Sequence, residues 1–364
     1  MPTSESTWAR VLLIAPSFEI LGGQSVQATR LRAALNKVPG IQVDFQPINP
    51  SLQGWLAPVA QIPVLRTLVR FLIYNANLLT RVRDYDILHV FSASYWSYTL
   101  WTLPALFYAK LFGKKIVLNY RDGQAEDHLQ NWRSAIPTIQ KMDAVVAPSG
   151  FLVDVFAKFG IAAHAISNII DVEQFNYKKR HTLEPRVLHN RILEPLYNIP
   201  CALKAFKQVQ RVYPSATLVV AHDGPLRGEL EHYAGEIGLR NFHFVGKIPH
   251  GRVTELYDAA DIYLTSPNFD CMPGSLLESF ASGLPVVATN AGGIPYIATN
   301  EETALLVPRD DYNALANAMV RLLENPDLVE RLTANAYRHC HSFSEGPVRE
   351  QWAALYRKLL GLAA

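Results

Sequence analysis

Short apolar runs suited to buried parallel strands alternate along this chain with longer helix-period segments, and that alternation begins twice. The first series opens with a strand over Val11–Pro16, a turn at Leu21-Gly22-Gly23-Gln24 and a helix over Ser25–Asn36. It continues through strands at Gln42–Phe45, Ile87–Val90, Ile116–Asn119 and Ala144–Ala147. The second runs through Arg186–Leu188, Thr217–Ala221, Phe242–Val245, Ile262–Thr265, Pro285–Ala288 and Ala304–Val307. Each series predicts a doubly wound α/β unit. The polar stretch Tyr177–Arg186 between them reads as a linker, which predicts domains over 1–176 and 186–346. A helix over 347–364, entered through a Ser-Phe-Ser-Glu-Gly turn, is expected to close the chain and to be able to return to the first domain.

The 364 residues are enough for two such cores, and with 49% hydrophobic and 18% charged residues a largely disordered chain is excluded. A net charge of +2 gives no global field for nucleic acid, and no nucleic-acid partner is expected. Three scattered cysteines, Cys201, Cys271 and Cys340, form neither a disulfide framework nor a clustered metal site, so a reducing compartment fits. The opening MPTSESTWAR lacks the apolar stretch of a secretory signal, and a cytoplasmic location is expected. Arg66, Arg70, Arg81 and Arg83 interrupt the most apolar region before it could form a spanning helix. The segment 55–82 mixes Arg66, Arg70 and Arg81 with Leu, Ile, Val and Phe, which suits either a helix lying in the interface of the inner membrane face or an interdomain or core helix.

In open parallel sheets, ligands bind beyond the carboxyl ends of the strands. Ser266–Pro295, SPNFDCMPGSLLESFASGLPVVATNAGGIP, carries the strongest signal of such a place. A strand over Ile262–Thr265 delivers the loop Asn268–Gly274, and a helix is expected to start near Ser275 with Glu278 in its first turn. Carboxylates at a helix entrance are commonly caps. Asp270 and Glu278 are eight residues apart, whereas a capping box spans three, and Pro273 and Gly274 keep the loop open. Such a loop can present backbone amides and acids to the hydroxyls of a sugar or ribose. Ala291-Gly292-Gly293 follows the next strand and can bring a second close backbone surface to the same place. His89 reads as a polar strand-end residue and His128 as a helix-surface residue, and no spacing suits a metal, so no metal or other cofactor is expected.

This region resembles the sugar-nucleotide signature of family 4 retaining glycosyltransferases of the GT-B fold, in which two Rossmann-like domains face each other across a cleft. Asp270 stands where that family usually has its first Glu, and Glu278 matches the second. The resemblance extends to HDGPLRGEL (His222–Leu230), to VGKIPHGRVTELYDAADIYLTSP, to SNIIDVEQF (Ser167–Phe175) and to the glycine loop at Gly22-Gly23. It implies transfer of a sugar from a nucleoside-diphosphate-sugar to an acceptor hydroxyl with retention, in glycan or glycolipid biosynthesis. The acceptor would be a glycan, a lipid-linked or a small molecule. Arg191, Asp270 and Glu278 would carry catalysis, with Arg191 neutralising the diphosphate, Asp270 on the donor sugar and Glu278 on the ribose. Gly22, Gly23, Lys247, Ile248, Met272, Pro273, Gly274, Ser275 and Leu276 would bind the donor, with Asn190 and Arg121 as cleft residues. The family's Lys about five residues after the Arg is missing from Arg191-Ile192-Leu193-Glu194-Pro195-Leu196-Tyr197, and Arg121 is the candidate replacement. A GT-B nucleotide-sugar epimerase and a non-catalytic sugar-nucleotide-binding member are the alternatives.

Overall fold

The computed structural model describes residues 7–17 and 23–362. The chain forms two compact units, one running to Ile169 and resuming at Glu345, the other spanning Ile170–Ser344. The division therefore falls N-terminal to the stretch expected to be the linker. That stretch is docked on the second unit: the Arg180 guanidinium donates to the carbonyls of Ser282 at 2.7 Å and Ala260 at 3.1 Å, and the Lys178 amide to Ser282 at 3.2 Å.

The first unit holds six parallel strands, β1 (Ala9–Ala15), β2 (Ile41–Pro47), β3 (Ile87–Ser92), β4 (Lys115–Tyr120), β5 (Ala144–Ala147) and β6 (His164–Ala165), in the order β2-β1-β3-β4-β5-β6. Helices α1 (Gly23–Leu35), α2 (Pro63–Arg81) and α3 (Leu103–Leu111) belong to it. Every residue from Val11 to Ala15 is fully buried, because a parallel sheet covered on both faces needs a continuous apolar run instead of an alternating one. β6 was not expected, since two exposed residues show no periodicity. The expected turn residues Leu21 and Gly22 lie outside the described residues.

The second unit holds β7 (Arg186–Asn190), β8 (Thr217–Ala221), β9 (Phe242–Gly246), β10 (Ile262–Thr265), β11 (Val286–Thr289) and β12 (Leu305–Val307), all parallel, in the order β12-β11-β10-β7-β8-β9. With them are α4 (Ile199–Val212), α5 (Gly274–Ala281), α6 (Tyr312–Glu324) and α7 (Pro326–Cys340). Val187, Leu218 and Leu264 enter one apolar cluster, while Leu188, Tyr263 and Val286 enter another, so alternate side chains supply the cores on the two faces of one sheet.

The chain then returns to the first unit as α8 (Glu345–Leu360). Its buried Val348, Trp352 and Tyr356 recur every four residues and join the cluster of Val11, Leu13 and Ile87. Beneath it His89 is fully buried at mid-sheet, not at a strand end. Asn119 Nδ2 donates to its Nε2 at 3.0 Å, its Nδ1 lies 2.6 Å from Tyr356 Oη, and the Trp352 ring packs on it at 4.4 Å. His128 is likewise buried instead of on a helix surface, with Nδ1 2.9 Å from Tyr120 Oη. Neighbours distant in sequence bury both rings.

Burial, reinforced by the charge of Arg121, lowers the His89 pKa from 6.5 to about 3. The unfolded chain takes up this proton near pH 6.5 and the folded one only near pH 3, so the contribution is fully present above pH 6.5 and shrinks as pH falls through that window. Denaturant midpoints at pH 7 and pH 5 should therefore separate less in His89→Gln than in the wild type. An equal separation would show that His89 does not carry this pH dependence.

Candidate functional site

β7 and β10 are hydrogen-bonded neighbours, Ile262 opposite Val187 and Tyr263 opposite Leu188. From β7 the sheet is built outwards through β8 and β9 to one edge, and from β10 through β11 and β12 to the other. The loops leaving the carboxyl ends of these two strands consequently diverge, and the gap between them is where an open α/β sheet binds ligands. Asn190 ends one strand and Arg191 follows it, and the Asn268–Gly274 loop follows the other.

There the Arg191 guanidinium is ion-paired with the Asp270 carboxylate, with side-chain exposures of 15% and 9%. The guanidinium lies over the Tyr197 ring at 4.2 Å, and its Nη1 is 3.5 Å from Ser275 Oγ, which accepts from Tyr263 Oη at 2.6 Å. Its Nε is buried with no hydrogen-bond partner among the described residues. Burial works against the Arg191 charge, but Asp270 and the surrounding tyrosines outweigh it and raise the pKa. For Asp270, burial pushes the carboxyl upward while Arg191 and the Met272 amide pull it back. That amide donates to Asp270 Oδ1 at 3.2 Å. The Asp270 carbonyl accepts from the Gly293 amide at 2.6 Å. Gly292 has φ +54°, and a Cβ there would collide with this carbonyl, which explains the glycine at this position after β11.

α5 starts at Gly274, so Glu278 lies in its second turn, not its first, and does not cap it. Its Oε2 instead accepts from Tyr257 Oη at 2.6 Å, and that hydroxyl accepts from Asn190 Nδ2 at 3.0 Å. Tyr257 is wholly buried. The N-cap position is Pro273, which offers no side-chain cap, and the Gly274 and Ser275 amides have no hydrogen-bond acceptor among the described residues. A buried cation and an uncapped helix start thus lie together, an arrangement suited to an anion.

Residues 173–339 match the family model described as glycosyl transferases group 1. The whole chain has the GT-B fold, two Rossmann-like units with parallel sheets. It aligns with the Anabaena HepE protein in complex with UDP at a TM-score of 0.76 and 16% identity, covering 96% of this chain and 100% of that one. With sucrose-phosphate synthase of Thermosynechococcus elongatus the values are 0.72 and 19%, over 97% and 99%. Among curated relatives, the lipopolysaccharide core biosynthesis mannosyltransferase LpsB of Rhizobium meliloti is 25% identical over 71% of this chain and 77% of its own length. An exopolysaccharide phosphotransferase of Streptomyces coelicolor is 28% identical over 55% of this chain and 22% of its own length. The chain spans less than half the length of the first curated relatives it matches, from 22% to 44%.

The other expected donor-binding residues of the GT-B chain are distributed as follows. Lys247 and Ile248 follow β9, the lysine exposed and Ile248 packed against the Leu188 and Tyr263 core. Met272 and Pro273 are buried in the loop before α5. The Leu276 side chain is fully buried in the core, and its amide donates to the Pro273 carbonyl at 3.2 Å. Gly23 opens α1 with open space where a Cβ would stand, and Gly22 lies outside the described residues. Arg121 follows β4 in the first unit, over the Phe91 ring at 4.9 Å. Among the described residues no group of three His, Cys, Asp or Glu is placed to hold a metal ion.

Sequence reasoning missed Tyr257, Tyr263 and Tyr197, since nothing local distinguishes a tyrosine that orients a carboxylate from one that fills a core. It also missed His222 after β8, a bulky residue at φ +88° whose amide donates to the Gly246 carbonyl at 2.8 Å. Burial first, then the charges of Arg191 and Lys247, lower its pKa.

Removing one partner of a mostly buried ion pair strands the other charge. Asp270→Ala should therefore cost about 3–5 kcal/mol of stability in equilibrium denaturation. A loss under about 1 kcal/mol would show that the pair does not hold the loop in place.

Proposed function

We propose that this protein is a retaining glycosyltransferase that moves a sugar from a nucleoside-diphosphate-sugar to an acceptor hydroxyl in glycan or glycolipid biosynthesis. The observation that carries the reading is the pairing of the buried Arg191 guanidinium with the unsatisfied Gly274 and Ser275 amides at the β7/β10 divergence. A leaving diphosphate is stabilised by such a preformed set of donors, which need not reorganise during the reaction. Asp270 holds the guanidinium in place and offers its carboxylate to donor-sugar hydroxyls. Glu278, oriented by Tyr257, uses its second oxygen to accept from the ribose, and the Lys247-Ile248 backbone meets the base. Holding the acceptor hydroxyl on the face of the sugar that the diphosphate leaves gives retention without a protein nucleophile.

The HepE protein was crystallised with UDP and with UDP-glucose, which supports starting a donor screen with UDP-sugars before GDP- and ADP-sugars. A donor at 100 times its dissociation constant should add about 2.7 kcal/mol of stability, visible as a melting shift. The names of the curated relatives support polysaccharide and lipopolysaccharide-type acceptors for the same screen.

Arg191→Ala should lower transfer at saturating acceptor on the order of 10²-fold or more. Isomerised nucleotide-sugar formed without an acceptor would replace the transferase reading with that of an epimerase, and donor binding with no turnover with that of a binding protein. Glu278→Ala should weaken donor binding by about 1.5–3 kcal/mol and, by taking the acceptor from the buried Tyr257 hydroxyl, lower the stability of the free protein by about 1–3 kcal/mol. If it unfolds the protein instead, Glu278 is a structural partner of Tyr257. Arg121→Ala is expected to slow transfer as well, and an unchanged rate removes Arg121 from the reading.

A further inference from the structure

β7, β8 and β9 are neighbours in their sheet, and Asn190, Ala221 and Gly246 stand opposite one another at the carboxyl ends. The residues that leave the three strands there are Arg191, His222 and Lys247. The backbone of the middle one is strained. His222 has φ +88°, past the roughly +50 to +70° of the left-handed helical well and in a region that disfavours any residue with a Cβ.

Its surroundings hold it there from both sides. The His222 amide donates to the Gly246 carbonyl at 2.8 Å, and the pairing of β8 with β9 slips between Val220 and Ala221, which leaves Val245 as a bulge and re-aims the end of β9. On the other side the Asp223 carbonyl accepts from the Leu193 amide at 3.1 Å, and the Leu193 carbonyl from the Leu226 amide at 3.1 Å. A Cβ on Gly224 would stand 2.5 Å from that Leu193 carbonyl oxygen, so the two loops touch backbone to backbone. The turn after β8 is thus fastened to the segment that carries Arg191 and to the strand that precedes Lys247. None of these bonds uses the side chain of residue 222, and a glycine there would make them all without strain. What the histidine adds is its ring.

That ring is half-buried. Burial first, then the charges of Arg191 and Lys247, lower its pKa, and Asp223 pulls the other way without reversing the shift. At pH 7 the imidazole is therefore neutral, with one nitrogen an N–H donor, and has a cation on the strand end at either side. An anionic ligand laid across the three strand ends matches this row. Arg191, with the Gly274 and Ser275 amides, occupies one end of it, and the next phosphate towards β9 falls to His222.

We propose that His222 binds the sugar donor by donating a hydrogen bond from its neutral ring to the phosphate nearer the nucleoside. The proposal rests on the nucleoside-diphosphate-sugar reading above and adds a phosphate contact to it. It is tested with the full chain and His222→Gly by calorimetric titration of UDP, GDP and ADP. The diphosphate that the wild type binds most tightly is followed by its monophosphate and, in competition with it, its nucleoside. The variant should bind the diphosphate and the monophosphate about tenfold to a hundredfold more weakly, the range of one hydrogen bond to a charged group, and the nucleoside as the wild type does. Its denaturant midpoint should equal or exceed that of the wild type, because glycine relieves the strain at φ +88°. A variant that binds the phosphorylated ligands like the wild type overturns the proposal, as does an equal loss for the nucleoside, which would put the ring on the ribose or base. A lower midpoint also overturns it, since the ring would then support the loop. A wild type that binds none of the three diphosphates overturns the nucleotide-sugar reading and this contact with it, whereas the other failures remove the contact alone.

Discussion

Two neighbouring strands, β7 and β10, are continued towards opposite edges of their sheet, and the chemistry of the second unit depends on that divergence. The gap it opens lies beyond the carboxyl ends of the strands, where helix N-termini and strand-end side chains converge. Arg191 and Asp270 come from the two sides of this gap, 79 residues apart in sequence. Neither would be tolerated there alone, because an unpaired buried charge costs several kcal/mol. Together they form a neutral pair that keeps a guanidinium fixed at an uncapped helix start. Gly292 after β11 completes the arrangement by letting a third loop close on the Asp270 carbonyl.

A second chain of contacts sits beside this pair. Asn190, Tyr257 and Glu278 are linked in series, and Tyr263 reaches Ser275, which also faces Arg191. Hydroxyls of buried tyrosines thus orient both the carboxylate on α5 and the serine at its start. Such a network holds polar groups in one geometry before any ligand arrives, which is the condition for electrostatic stabilisation to act without reorganisation.

The first unit is built differently, with strand order β2-β1-β3-β4-β5-β6 against the other unit's β12-β11-β10-β7-β8-β9, although both read as repeated strand-helix pairs in sequence. Its core is finished by a helix from the far end of the chain, whose Trp352 and Tyr356 enclose His89. Its α2 spends only Tyr74 and Leu78 on that core and leaves a row of leucines on the outside.

The sequence by itself determined the fold class and nearly every strand, because a parallel sheet covered on both faces demands continuous apolar runs, and these are readable at short range. The Asp270, Glu278 and Gly292-Gly293 pattern was legible for a similar reason, since a loop between a strand and a helix is local. What the tertiary structure alone decided were relations across long stretches of chain. Glu278, expected in the first turn of its helix, stands in the second and is held by Tyr257, twenty-one residues earlier. His89, read as a strand-end residue, and His128, read as a helix-surface residue, are both in the core because α8 and β4 cover them. The division of the chain fell at Ile169, since Arg180 finds its carbonyl partners some eighty and a hundred residues away. Periodicity carries the burial of an element against its own sheet, but which distant group satisfies a buried charge or hydroxyl is set only when the strands have taken their order.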